Sequence, residues 1–190
     1  MTILAESFSA GYASLSAWSD LLDRNNVFPV ADADTGANLR ISLGPLRACD
    51  QDPERTAERM IRSATGNSGN IAAAFFAALL GAEDEDELAQ RADEGCRRAR
   101  QAVADPKDGT MLTVFATLSE VLARCSPLDA ACCETILTAL RQTVLATAQT
   151  QADCRSAGVV DAGALGLSLF FDGFFRTLTR LESHSPSLFA

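Results

Sequence analysis

Apolar residues recur at spacings of three and four along most of the chain, the spacing that puts them on one face of a helix. Residues 4–24 carry Leu4, Phe8, Tyr12, Leu15, Trp18, Leu21 and Leu22 in this pattern, which predicts a first amphipathic helix. Asn25-Asn26-Val27-Phe28-Pro29-Val30 follows, where paired Asn and a Pro break the helix. A second helix is expected from near Asn38 to before Asp50, and a third from Pro53, suited to a first turn, to Ala64. Gly66-Asn67-Ser68-Gly69 then opens IAAAFFAALLGA, apolar nearly all round and therefore expected in the middle of a domain. Residues 84–104 begin acidic and end basic, the order that a helix dipole favours.

After Asp105-Pro106-Lys107-Asp108-Gly109, helical period returns with Met111, Val114, Phe115, Leu118, Val121 and Leu122. Pro127 is expected to start a helix reaching about Thr150. A polar turn ends at Gly158-Val159-Val160, and Asp161 starts a last helix through Leu165, Leu169, Phe170, Phe174 and Leu178. This makes eight helices and no strand: one all-α domain, with its core at about 4–180 and a polar tail at 181–190.

Composition narrows the function. In 190 residues, 16 Lys and Arg stand against 25 Asp and Glu, a net charge of −9. That field opposes binding to a phosphate backbone, so no nucleic-acid partner is expected. No apolar run approaches the ~18 residues that a bilayer span needs, so no membrane insertion is expected. The start of the chain lacks a signal-peptide pattern, and a cytoplasmic location is expected. The six cysteines include no CxxC and no neighbouring His, so zinc spacing is absent and they read as free thiols packed like small apolar residues. The one histidine, His184, lies in the tail, which leaves a nucleophilic Ser or Cys without a base.

Candidate chemistry sits at the helix openings. Asp32-Ala33-Asp34 places two carboxylates one residue apart, a pair that can converge on magnesium. An Asx turn capping the next helix is the plainer alternative. Gly66-Asn67-Ser68-Gly69 can offer backbone N–H groups at a helix N-terminus to phosphate, or can simply be a cap. Asp108-Gly109-Thr110 and Asp161-Ala162-Gly163 repeat the theme of small or acidic residues at helix starts.

Taken together, NVFPVADADTGANL, ATGNSGNI, DGTMLTV and GVVDAGALGL resemble the nucleotide-binding (DhaL-type) domain of the dihydroxyacetone kinase superfamily. The resemblance covers residues 25 to 167. It implies a barrel of eight antiparallel helices with ATP or ADP and magnesium, two ions in the family, at one end. It assigns Asp32 and Asp34 to magnesium and phosphoryl transfer. Asn26 is the nearest candidate for the place where dihydroxyacetone kinases carry a further upstream aspartate. Thr35, Gly36 and Asn38 would touch the nucleotide, and Gly66, Asn67, Ser68 and Gly69 would hold the phosphates. Thr110 and Met111 would lie near base or sugar, with Asp161 and Gly163 closing the site. Ala33 stands where the family usually has Gly, and a small side chain is expected to be tolerated there.

Asn-Val-Phe-Pro-Val, Thr35 in place of His or Cys, and GVVDAGALGL favour the kinase domain of fatty acid kinases as the nearest branch. The family's acceptor, a fatty acid carboxylate or a dihydroxyacetone-like hydroxyl, is presented by a separate substrate-binding subunit or domain. Such a partner is expected to dock over Asp34, Ser68 and Asp161, and a homodimer is compatible with the sequence. The alternative is a nucleotide-binding subunit without turnover, holding ADP or ATP as a cofactor or acting as a regulator.

Overall fold

The structure is a computed structural model and describes residues 2–49 and 52–181; the tail with His184 lies outside the described residues. Ten α-helices and one 3-10 helix account for the described elements. They are α1 (Ile3–Ala17), α2 (Ser19–Arg24), α3 (Thr35–Ser42), the 3-10 helix Gly44–Ala48, α4 (Pro53–Ser63), α5 (Gly66–Leu79), α6 (Leu88–Gln101), α7 (Met111–Leu122), α8 (Ala130–Thr150), α9 (Ala152–Ala157) and α10 (Ala162–Leu178). Eight of the ten are at least eight residues long, and α2 and α9 are six-residue pieces.

The departures from the sequence reading have local causes. The first helix is broken at Trp18, where α2 turns aside so that Ser19 abuts α3 at Gly36. The second starts earlier, at Thr35, and its α-helical part ends at Ser42. There Gly44-Pro45 rewinds the chain as 3-10, because Pro has no N–H to continue the ladder. The acidic run before α6 forms a turn in which Asp84 Oδ1 accepts from the N–H groups of Asp86 and Glu87. Pro127 does not open α8. Asp129 does, its carboxylate accepting from Cys132 N at 2.9 Å. The polar turn before α10 contains α9, ended by Gly158 at φ 69.

Neighbouring helices close a ring. α1 packs on α10, α10 on α8, α8 on α7, α7 on α6, α6 on α5 and α5 on α4, and the 3-10 helix links α4 back to α1. α1 and α10 run antiparallel in close approach, since a Cβ on Gly11 would come within 2.8 Å of Phe170 and one on Gly173 within 2.8 Å of Ala10 O. α2 and α3 lie against α10, and α3 also packs on α5. This makes α10, rather than α5, the most enclosed helix: every residue from Asp161 to Phe171 is buried.

The core is aromatic. Phe75 stacks on Phe115 at 3.8 Å between ring centroids, Phe76 meets Phe170 at 4.5 Å, and Phe8 meets Phe174 at 5.0 Å. These contacts tie α5, α7, α10 and α1 into one apolar cluster. Among the described residues no helix is long and apolar enough to cross a membrane.

The cysteines correct the expectation of six free thiols. Cys125 and Cys132 form a disulfide across the α7–α8 turn, with Cα atoms 5.8 Å apart, inside the range a disulfide can bridge. The spacing of seven shows no motif, and only the turn makes the pair close. Cys96, Cys133 and Cys154 are free thiols. Burial pushes the Cys96 and Cys154 thiols up to about 11, which keeps them protonated and poor nucleophiles.

Candidate functional site

The helix N-termini singled out by sequence share one end of the ring. Gly66 of α5 lies against the Asn38 side chain of α3, and Gly69 lies against Ser42 one turn further on. α3 and α5 therefore run in the same direction, with the first turn of α5 level with the second turn of α3. At the other side, Gly163 of α10 faces Met111 of α7: a Cβ on Gly163 would be 3.4 Å from Met111 Sδ. Gly166 then meets Leu22 and Leu39, which joins the α10–α7 pair to α2 and α3.

The aspartate loop is organised by side chains on either side of it. Asn26 is buried, and its Nδ2 donates to Asp32 Oδ1 and to Val30 O, each at 2.8 Å. Its Oδ1 accepts the hydroxyl of the buried Thr35. Asp32 is exposed and Asp34 half-buried at the rim. Between them Ala33 has φ 56, the left-handed region that an L side chain normally avoids. The small side chain is accommodated, but in a backbone conformation that suits Gly better.

Asp34 occupies the N-cap position of α3 yet makes no side-chain cap hydrogen bond. The N–H groups of Gly36 and Ala37 are taken instead by Asp23 Oδ1, at 2.7 and 3.1 Å. Gly36 is held close because its absent Cβ would fall 2.0 Å from Ser19 O. Thr35 and Gly36 thus have partners inside the protein, while the Asp32 and Asp34 carboxylates face the rim.

The α5 opening is different. Thr65 is its N-cap without a side-chain cap hydrogen bond, and no acidic residue lies in the first turn. Gly66 and Asn67 are exposed, Ser68 is half-buried and Gly69 is buried. An uncapped N-terminus of a 14-residue helix presents partial positive charge and N–H donors outward. Ser42 steadies the approach, its Oγ accepting from Thr65 N at 3.1 Å.

On the far side Thr110 caps α7, its Oγ1 accepting from Leu112 N at 3.3 Å and donating to Lys107 O at 2.8 Å. Met111 is buried beside it. Asp161 caps α10, accepting from Ala164 N at 2.7 Å, and its own N–H donates to Thr147 Oγ1 at 2.9 Å. Burial raises the Asp161 carboxyl to about 6, against the opposing pull of the Ala164 and Gly163 N–H groups.

Three contributors escaped sequence reading: Asp23, Ser42 and Thr147. None lies in a motif block at a helix start, and each acts across an interhelical contact. The only trace of Asp23 was an acidic residue near the end of a helix, opposite to what its dipole favours.

The match to known proteins spans both sides of this site. The family model for the DAK2 domain matches residues 29–176. The chain belongs to the DAK2 domain family. Uncharacterized proteins of Staphylococcus aureus strains USA300 and bovine RF122 are 28% identical over 197 residues, covering 93% of this chain and 35% of theirs. The dihydroxyacetone kinase of C. freundii, in the crystal structure with AMP-PNP and Mg2+, superposes with a TM-score of 0.67 at 19% identity. That alignment covers 94% of this chain and 34% of the kinase chain, and the native form gives a TM-score of 0.66. This DAK2 domain thus has the fold of one part of that kinase and spans about a third of the curated relatives it matches.

Proposed function

We propose that this DAK2 domain binds ATP with magnesium and donates the γ-phosphoryl group to a small acceptor carried by a separate substrate-binding subunit or domain. The observation that carries the reading is the contact of Asn38 with Gly66. It sets the open N-terminus of α5 against the second turn of α3, whose N-cap is Asp34, and this supports a phosphate site beside a cation site.

The donor set suits magnesium. Asp32 and Asp34 are hard oxygen ligands at the protein surface. Among the described residues no group of three or more His, Cys, Asp or Glu could hold a metal, so phosphate oxygens and water would complete the shell. When bound, magnesium supplies positive charge to the phosphate oxygens as the phosphoryl group moves. Asn26 is engaged with Asp32, Val30 and Thr35; the second of two ions would rest mainly on the aspartates and the phosphates.

The chain's own residues divide the remaining work. Gly66, Asn67, Ser68 and Gly69 bind phosphate through N–H groups and the Ser68 hydroxyl. Asn38 fixes that turn from below, and Thr35 and Gly36 hold the aspartate loop. Thr110, Met111, Asp161 and Gly163 shape the wall for base or sugar. Positioning and charge are what phosphoryl transfer requires, with no protein nucleophile. A fatty acid carboxylate or a dihydroxyacetone-like hydroxyl is the acceptor proposed from the family resemblance, and the cytoplasm the proposed location.

The neutral Asn26 supports a second reading, a subunit that keeps ADP or ATP without turnover. Calorimetric titration of ATP with and without magnesium tests the shared core of both. Magnesium-dependent binding in the native chain, lost in Asp34→Ala, is the expected result; binding that ignores magnesium or the substitution would overturn it. Slow exchange of the bound nucleotide would favour the second reading.

A further inference from the structure

The hydrogen bonds around α3 separate two tasks that one aspartate often combines. An Asp at the N-cap ordinarily turns its carboxylate onto the N–H groups of the second and third helical residues. In α3 those residues are Gly36 and Ala37, and both N–H groups donate to Asp23 Oδ1. Asp23 reaches them from the end of α2, eleven residues before the N-cap. Asp34, which holds the N-cap position, makes no side-chain cap hydrogen bond.

The close seating of α2 on α3 makes this possible. A Cβ on Gly36 would stand 2.0 Å from Ser19 O and 3.0 Å from Asp23 Oδ1, so only Gly lets the two meet. The negative charge that the α3 N-terminus favours is thereby supplied from α2.

We infer that Asp23 is a positioning residue: it caps α3 in place of Asp34 and thereby keeps the Asp34 carboxylate free for a divalent cation. The inference rests on the proposed metal role of Asp32 and Asp34. Without Asp23 the donors of Gly36 and Ala37 are orphaned, and an Asp at the N-cap, here Asp34, is the residue that ordinarily takes them. Once turned onto the helix, Asp34 gives up oxygen lone pairs to N–H groups and competes poorly for an ion.

The test uses Mn2+ in place of Mg2+, with ADP present, and reads the bound ion by electron paramagnetic resonance. Asp23→Ala should weaken Mn2+ binding about tenfold to a hundredfold, the range seen when residues that orient metal ligands are removed. Asp23→Asn keeps an oxygen acceptor for the two N–H groups and should stay within about threefold of native. A loss in Asp23→Asn equal to that in Asp23→Ala would mean that its charge acts on the ion directly, and would overturn the positioning role. Native-like binding in a folded Asp23→Ala would overturn it too.

Stability supplies a second, independent readout. Asp34→Ala should leave the melting temperature nearly unchanged in the native background and lower it in the Asp23→Ala background, where Asp34 has become the cap. Equal effects in both backgrounds would overturn the inference. If Asp23→Ala does not fold, Asp23→Asn decides by its binding alone. The metal reading itself fails separately: then Asp34→Ala in the native background leaves Mn2+ binding intact.

Discussion

The amide of Asn38 fills the space that a side chain on Gly66 would need: a Cβ there would come 2.2 Å from Asn38 Nδ2 and 2.7 Å from Asn38 Cγ. This pair couples the start of α5 to the second turn of α3, and with it the phosphate-binding turn to the aspartate loop.

Gly66→Ala should therefore damage both binding and stability. Gly66 has φ 65, and an L residue there costs about 1–2 kcal/mol before Asn38 is displaced. A stability loss of about 2 kcal/mol in urea unfolding and a weakened ATP titration are expected. Adding Asn38→Ala relieves the crowding and should recover part of the stability, while the backbone penalty remains.

Gly36→Ala reverses a usual rule. Replacing Gly inside a helix by Ala ordinarily gains up to about 1 kcal/mol. Here the new methyl meets the backbone oxygen of Ser19, which cannot rotate away. Denaturant unfolding should show a loss of about 2 kcal/mol or more. Gly44→Ala, with nothing within 4 Å of the added atom, is the control and should change stability by less than about 0.5 kcal/mol.

Ala33→Gly should stabilise the protein. Ala33 at φ 56 carries a conformational cost of about 1–2 kcal/mol that Gly avoids. The greater freedom of Gly in the unfolded chain returns about 0.4–1 kcal/mol of this. A net gain near 0.5–1 kcal/mol in urea unfolding is expected, and a loss would mean that the methyl packs usefully at the rim.

Asp161 makes stability depend on pH. Its carboxyl is raised from 3.8 to about 6 in the folded protein, so between these values the folded state keeps a proton that the unfolded chain has released. The contribution of this group thus favours folding at low pH and is lost as pH rises from about 4 to about 6. Asp161→Asn keeps an acceptor for Ala164 N and removes the titration. Relative to the native protein the variant should gain about 3 kcal/mol at pH 7.5 and little at pH 4, read by urea unfolding at both values. A difference independent of pH would refute the effect of burial.

The helices were legible because their information is local. Apolar spacing in Met111, Val114, Phe115 and Leu118, and the polar caps before them, can be read within a few turns. The breaks at Trp18 and Ser42 and the start of α8 at Asp129 were less so. Trp18 ends a helix because of where α2 must go, and Asp129 competes with a nearby Pro127 that reads equally well as an opening. The disulfide between Cys125 and Cys132 needed the turn itself. Of the site, the aspartate pair and the three other small-residue openings stand in the sequence. That Asn26 binds Asp32 does not.

By itself the sequence determined an all-α domain of the DAK2 family and put the candidate site residues at helix starts, because periodicity, caps and motif order are properties of neighbouring residues. Tertiary structure alone decided which carboxylates are free. Asp23 and Asp34 are chemically the same group, and the motif around Asp34 does not say that a different aspartate takes the N–H groups of its helix. What separates them is the packing of α2 against α3: hydrogen bonds form between groups that meet in space, and the chain is folded before it is known which donor each acceptor will find.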